Sequence, residues 1–287
     1  IRGNKVVAAS AEETTVKLKV SGHFLFLLSH LSRARDGTVS GVETERGPMF
    51  VAEQGLLAEA GASDEEAAVG LVSPQVYGTL VRMNDDWDLQ PNLADSWAMG
   101  DDGLSFTFNL NADATFHDGA PVTSADVKYS LETSLANHRF GPAMFGAIES
   151  VETPDPQTVV FKLSRPSPAI LRSMTSPRFL PIVPKHIFDD GQEFMKHPRH
   201  ADPVGSGPFK VVDNGLPSYL VLEPFEEWAL PGPYLDQIVF QVIGDQSAVR
   251  VGFQRGEFHL ASGTALSTYR DLEKYDSMEY VSVDPCC

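Results

Sequence analysis

Apolar and polar residues alternate most regularly over Leu104-Ser105-Phe106-Thr107-Phe108-Asn109-Leu110, which predicts a strand with one buried face. The Asp101-Asp102-Gly103 turn just ahead of it suggests a hairpin, and in the stretch 89–97, towards which Asp85-Asp86 turns the chain, Leu93 and Trp97 are core candidates. The period then changes from two to 3.6. Thr123-Ser124-Ala125-Asp126 is a helix-opening signal, and Val127, Leu131 and Leu135 share one face of the helix that follows. Two strands, 147–153 and 158–163, are expected around Pro154-Asp155-Pro156. A short helix begins at Pro166-Ser167-Pro168, where the missing proline N–H costs nothing, and runs to about Ser173.

Further along, 179–183 is an apolar run between prolines, 185–190 is a short segment, and 193–203 reads as a polar, solvated loop. Gly205-Ser206-Gly207-Pro208 leads into a strand at 209–212 with a hairpin partner at 219–223. A strand at 238–243, a crossover helix at 245–256 ending on Gly256 as C-cap, and a short strand at 258–261 follow. The stretch 267–283 opens a helix and a strand. Towards the start, Ser63-Asp64-Glu65-Glu66 forms a capping box, with Ala67, Leu71, Val76 and Leu80 as an apolar face that Pro74 bends or splits. Residues 1 to about 60 carry weaker signals: a strand at 14–20, an apolar patch at 24–28 and a Gly- and charge-rich stretch at 33–48. The order is mixed α/β, without internal repeats.

Length adds a prior of roughly two domains for 287 residues, 42% of them hydrophobic. Asp and Glu outnumber Lys and Arg by 39 to 22, for a net charge of −17. Such a surface repels nucleic acid and anionic lipid and favours a soluble monomer, so nucleic acid is not expected as a partner. Cys286 and Cys287 are adjacent, lack any metal-ligand spacing, and are read as without function. The chain begins at Ile1 rather than Met, so its start is expected to be missing, and no signal-peptide pattern is visible.

Candidate chemistry is sparse. His197-Pro198-Arg199-His200 with Asp202 has partial metal-ligand spacing, but Pro198 opposes a regular helix and no third histidine completes it. His117-Asp118 has the composition of an acid/base pair, yet His-Asp-Gly is turn chemistry. Gly205-Ser206-Gly207 precedes a strand, whereas a dinucleotide loop follows one. No nucleophile motif is present, so no catalytic residue, metal or cofactor is assigned. Trp87, Trp97, Trp228 and the aromatics Phe140 and Phe145, near Arg139 or Arg178, either line a cleft for a small peptide or acid or belong to ordinary core.

Six segments in order are similar to the family 5 extracellular solute-binding proteins, the peptide/nickel-type ABC transporter substrate-binding proteins. They are Gln75-Val-Tyr-Gly-Thr-Leu-Val81 with Leu89-Gln-Pro-Asn-Leu-Ala-Asp-Ser-Trp97, then Leu104–Leu110, Ala114-Thr-Phe-His-Asp-Gly119 with Pro121-Val-Thr-Ser-Ala-Asp-Val127, Asp202-Pro-Val-Gly-Ser-Gly-Pro-Phe209, Pro233-Tyr-Leu-Asp-Gln-Ile-Val-Phe240 and Gly256-Glu-Phe-His-Leu-Ala261. His259 departs from the family's usual aspartate.

The resemblance implies a periplasmic-binding-protein-like type II, two-lobe α/β architecture that captures peptides or similar small polar solutes in an inter-lobe cleft for an ABC permease. It implies a periplasmic or extracytoplasmic location, with a lipoprotein anchor compatible, and no enzymatic step. The expected organisation is an unassigned segment 1–62, an inserted α+β subdomain 63–165, the main part of the first lobe 166–262, and the start of a truncated second lobe 263–287. Arg178, after Pro177, matches the place of a family arginine that holds a ligand carboxylate, and a guanidinium fork suits that role. A structural ion pair is the competing reading for it. Arg139, Phe140 and Phe145 complete the expected ligand-binding set. A nickel-chelate or opine receptor of the same family, and a small metal-dependent hydrolase using His117, Asp118 or His197 and His200, are the alternatives.

Overall fold

In the computed structural model the hairpin alternation becomes a sheet. The structure describes residues 5–9, 48–53, 72–84, 86–216, 218–243, 245–255, 257–258, 260–262 and 278–282. The expected strand at 14–20, the apolar patch at 24–28, the stretch at 33–47, the Ser63 capping box, Gly256, His259 and the cysteine pair lie outside the described residues. The chain divides into two compact units, one made of residues 72–210 and 225–231 and the other of the remainder.

In the first unit β5 (Ala94–Met99), β6 (Ser105–Leu110), β8 (Thr158–Leu163) and β7 (Ile148–Asp155) lie in that order as an antiparallel sheet. Phe106, Phe108 and Leu110 point to one face of β6 and are buried, as the alternation requires. Across the ladder Phe108 sits opposite Val159, and its ring meets that of Phe161 edge to face at 5.5 Å. The β5–β6 turn is held by the Leu104 N–H donating to Asp102 Oδ1, with Gly103 at φ 69°. A two-stranded ribbon, β3 (Val81–Met83) and β4 (Leu89–Pro91), precedes this sheet. Ahead of it, among the described residues, 72–76 is helical; Leu80 is buried beside β3 and not on the helical face expected for it.

Helix α1 (Ser124–Asn137) lies against β7 and β8 with Val127 and Leu131 buried and Leu135 packed on the same core. Beside this apolar stripe runs a polar one at Asp126, Ser130 and Ser134, spaced i, i+4, i+8. Asp126 Oδ2 accepts from the Thr123 N–H and hydroxyl at 2.8 and 2.6 Å, closing the helix start. Its Oδ1 accepts from the Lys185 N–H at 2.8 Å. Ser130 Oγ accepts from the Val183 N–H at 2.9 Å and donates to the Asp126 carbonyl at 2.7 Å, and Ser134 Oγ donates to the Phe179 carbonyl at 2.8 Å. The apolar run 179–183 thus has no ladder of its own. It buries Leu180, Ile182 and Val183; the helix meets the Phe179 carbonyl and the Val183 N–H, and the Ile182 N–H donates to the Gly78 carbonyl at 3.0 Å.

Shorter elements complete the unit: α2 (Gly141–Phe145), α3 (Ala169–Ser173) and α4 (Lys185–Phe188). The stretch 193–203 differs from a solvated loop. It forms two 3-10 turns, Phe194–Lys196 and Pro198–Ala201, and His197 is buried against Phe188, whose ring also meets Phe194 and His200. Gly205 and Gly207 are dictated by close approach, because a Cβ there would lie 1.9 Å from the Val76 carbonyl oxygen and 2.4 Å from that of Gln75.

The second unit is built on a seven-stranded mixed sheet of order β13-β1-β12-β2-β11-β10-β9. Its strands are β1 (Lys5–Ala9), β2 (Pro48–Glu53), β9 (Phe209–Gly215), β10 (Tyr219–Pro224), β11 (Gln237–Val242), β12 (Leu260–Ser262) and β13 (Met278–Ser282). β11 and β12 both run parallel to β2 and flank it, and helix α5 (Gln246–Gln254) makes the crossover between them. β1 and β2 were not expected from the sequence. Both are short runs without period-two alternation, the pattern of a strand covered on both faces.

Asp126→Ala leaves three N–H or O–H donors without their shared acceptor, and we expect it to cost about 2 kcal/mol or more in urea or thermal unfolding. Gly205→Ala is expected to cost more than that, because its new methyl meets backbone rather than a side chain that could turn away.

Candidate functional site

The polar stripe of α1 also positions the exposed cationic groups at the helix end. Ser134, the last residue of the stripe, holds the Phe179 carbonyl, so Arg178 is carried to the C-terminal end of α1. The helix stops there with the His138 N–H on the Ser134 carbonyl at 2.9 Å. The chain then turns sharply into α2. A Cβ on Gly141 would lie 2.3 Å from the Ser134 carbonyl oxygen, which is why glycine stands at this corner.

Three aromatic rings meet at the corner. His138 contacts Phe179 edge to face at 5.8 Å and Phe140 at 5.9 Å, and its Nδ1 accepts from the Phe140 N–H at 3.2 Å. Arg139 stacks its guanidinium 4.4 Å from the centre of the Phe140 ring, which is 40% exposed. Arg178 is exposed and forms no hydrogen bond or ion pair with the described residues, so the alternative of a structural ion pair finds no acidic partner among them. Sequence positions 139, 140 and 178 therefore share one region of the surface. Phe145 is placed differently: it is fully buried in the core beneath α2. A guanidinium fork such as that of Arg139 or Arg178 can bind a carboxylate, and the exposed Phe140 ring can stack on a planar or apolar group. His138 and Phe179, which join the two halves of the region, had no separate signal in the sequence.

The described histidines of the candidate motifs are engaged structurally. His117 Nδ1 accepts from the Gly205 N–H at 3.2 Å, and Nε2 lies 3.0 Å from the Gly207 carbonyl. Only the neutral ring protonated on Nε2 serves both contacts. Burial lowers the His117 pKa from 6.5 to about 4, outweighing the Gly207 carbonyl, which raises it; the Lys210 charge adds to the lowering. Its ring also packs on Phe225 at 5.0 Å. With both nitrogens engaged, His117 has no free site to move a proton.

Asp118 instead meets His186, 68 residues on, at 2.8 Å. Burial raises the Asp118 pKa, but the hydrogen bonds from His186 and the Ala120 N–H prevail and hold it below the usual carboxylate value. His197 Nε2 lies 3.3 Å from Asp190 and Nδ1 accepts from the Arg199 N–H, while His200 Nε2 lies 2.6 Å from the Phe194 carbonyl. Among the described residues no three His, Cys, Asp or Glu side chains are grouped to hold a metal ion. None of their helices is long and apolar enough to cross a membrane. Trp97 packs on the core, and Trp228 lines a small cleft with Phe225.

Comparison with known proteins gives a consistent result. The model of bacterial extracellular solute-binding proteins, family 5 Middle, matches residues 88–285. A Brucella ovis protein named for ABC-transporter peptide binding is 32% identical over 183 residues, covering 62% of this chain and 34% of that protein. The glutathione-binding protein GsiB of Pectobacterium atrosepticum is 28% identical over 214 residues, covering 74% of this chain and 41% of its own. The solved structure of the binding protein AgaA of A. tumefaciens R10, in complex with agropinic acid, superposes with a TM-score of 0.69 at 28% identity, over 80% of this chain and 46% of AgaA. The matched stretch thus spans less than half the length of each. The α/β fold is of the periplasmic-binding-protein-like type II class.

The tautomer of His117 sets a pH dependence. An unfolded histidine takes up its proton near 6.5 and the folded one only near 4. The stability due to the neutral ring is therefore whole above pH 6.5 and is lost as pH falls toward 4. The loss is on the order of 3 kcal/mol, and urea unfolding across that range should be clearly flatter with pH in His117→Ala, which starts from a lower stability.

Proposed function

The chain belongs to the bacterial extracellular solute-binding proteins of family 5, and from that premise we propose that it captures peptides or similar small polar solutes for an ABC importer. The proposed partners are the solute and a membrane permease, with the protein acting outside the cytoplasm, as a monomer, without nucleic acid and without a chemical step. One observation carries the choice of site: Arg178, free of any acidic partner among the described residues, stands beside the corner that presents Arg139 and Phe140. In this reading Arg178 takes the solute carboxylate, Arg139 supports it through charge, and Phe140 offers a face to its side chain. Phe145 serves from below, by anchoring α2. The peptide class is supported by the names of the Brucella and Pectobacterium relatives.

A second reading, an opine-type acid as solute, is favoured by the likeness to AgaA. It uses the same carboxylate anchor and differs in what lies over Phe140.

Thermal unfolding with dipeptides, glutathione, longer peptides and agropinic acid separates these readings. A solute at 100 times its Kd should add about 2.7 kcal/mol of stability. We expect a peptide to raise the Tm and Arg178→Ala to abolish the rise while leaving the unliganded Tm unchanged. A response to agropinic acid alone would select the second reading. A peptide response untouched by Arg178→Ala would place the anchor elsewhere.

A further inference from the structure

Strand β9, the last of the seven-stranded sheet, ends on Asp213-Asn214-Gly215. Asn214 is exposed there, and it is the one asparagine of the chain followed by glycine. Its amide is oriented by the backbone. The Leu216 N–H donates to Oδ1 at 3.2 Å, closing an Asx turn, and an amide nitrogen could not accept that bond. Asp102, Asp118 and Asp190 close the same turn ahead of a glycine, each with Oδ1 accepting from the N–H two residues on. Their glycines take positive φ values, whereas Gly215 does not. Glycine stands at 215 for another reason. The Tyr219 hydroxyl donates to Asp213 Oδ2 at 3.0 Å, and the Tyr219 ring lies so close to Gly215 that a Cβ would run into it.

We propose that Asn214 is a site of spontaneous deamidation, with solvent water as co-reactant, and that the hairpin tip promotes it. The Gly215 nitrogen, deprotonated by solvent hydroxide, attacks Asn214 Cγ and closes a cyclic imide. The Cγ–Nδ2 bond breaks, and Nδ2 leaves as ammonia with a proton from water. Water then opens one of the two imide C–N bonds. Attack at Cγ leaves aspartate, and attack at the main-chain carbonyl leaves isoaspartate. Two features favour the first step. Glycine leaves the attacking nitrogen uncrowded by a side chain, and the Leu216 N–H sits on the oxygen that gains negative charge. The aspartates of the other three turns offer a charged carboxylate, a poorer electrophile than a carboxamide. The product sets a new carboxylate beside Asp213, the acceptor of the Tyr219 hydroxyl, and isoaspartate adds a methylene to the main chain of β9. The site is independent of the solute-binding reading.

The folded chain and a synthetic peptide of residues 209–219, kept side by side in heavy-oxygen water at mildly alkaline pH, provide the test. Peptide mapping by mass spectrometry follows the loss of the Asn214 amide in both. Conversion in the folded chain is expected at a rate equal to or above that of the peptide. Heavy oxygen should enter at position 214, and chromatography should resolve an aspartate and an isoaspartate product. Asn214→Gln, whose longer side chain closes the ring poorly, should lose the labelled products while keeping the Tm of the unaltered chain. A folded chain in which Asn214 converts more slowly than in the peptide, or not at all, would overturn the proposal. Labelling at other asparagines while Asn214 stays intact would overturn it as well.

Discussion

The first unit depends on one line of hydrogen bonds, the polar stripe of α1 against the backbone of residues 179–185. That segment is largely apolar and buried, yet it pairs with no strand among the described residues, so its N–H and C=O groups need partners that water cannot supply. Asp126, Ser130 and Ser134 supply three of them, at one side chain per turn, and the Gly78 and Ser176 carbonyls supply others. Asp126 is the most heavily used of the three, because one carboxylate closes the start of α1 and also receives the first N–H of α4. The apolar stripe beside it packs the helix on the sheet. Two adjacent stripes of one helix thus hold two layers together, one by burial and the other by hydrogen bonding.

A second constraint works by close approach. The Gly205-Ser206-Gly207 strand entrance threads between the 75–78 backbone and the His117 ring, with the Gly207 N–H on the Val76 carbonyl at 2.8 Å and the Gly78 N–H on Ser206 Oγ at 3.3 Å. Side chains at 205 and 207 would be driven into backbone, and a charged ring at 117 would lose its acceptor. This gives the glycines and the histidine a structural purpose. It also removes the acid/base and phosphate-loop interpretations of the same residues on geometric grounds. His197 and His200, packed round Phe188, follow the same pattern.

What remains exposed and cationic at the end of α1 is set apart from this clamp. On a chain with a net charge of −17, the Arg139 guanidinium stacked on the exposed Phe140 ring, with the exposed Arg178 next to Phe179 in the chain, puts cationic groups at this end of the helix. The region is held by the helix terminus, the Gly141 corner and the His138–Phe179 contact, so its geometry derives from the same stripe that organises the core.

Local rules determined much of this protein. The β5–β6 hairpin followed from period-two alternation and an Asp-Gly turn, α1 from its capping residues and 3.6-residue apolar spacing, and β7–β8 from a Pro-Asp-Pro turn. Arg178, Arg139 and Phe140 could be singled out by residue type and by resemblance to a family, and their proximity could not. Tertiary structure alone decided it, because the His138–Phe179 contact joins segments some 40 residues apart that share no periodic signal. It likewise decided that Phe145 is core, that His197 is buried, that Asp118 pairs with His186, and that β1 and β2 enter the seven-stranded sheet. The physical reason is common to all of them. Periodicity and turn chemistry report how a residue relates to its own element. Which backbone a serine satisfies, or which ring a glycine admits, depends on the element that arrives opposite it.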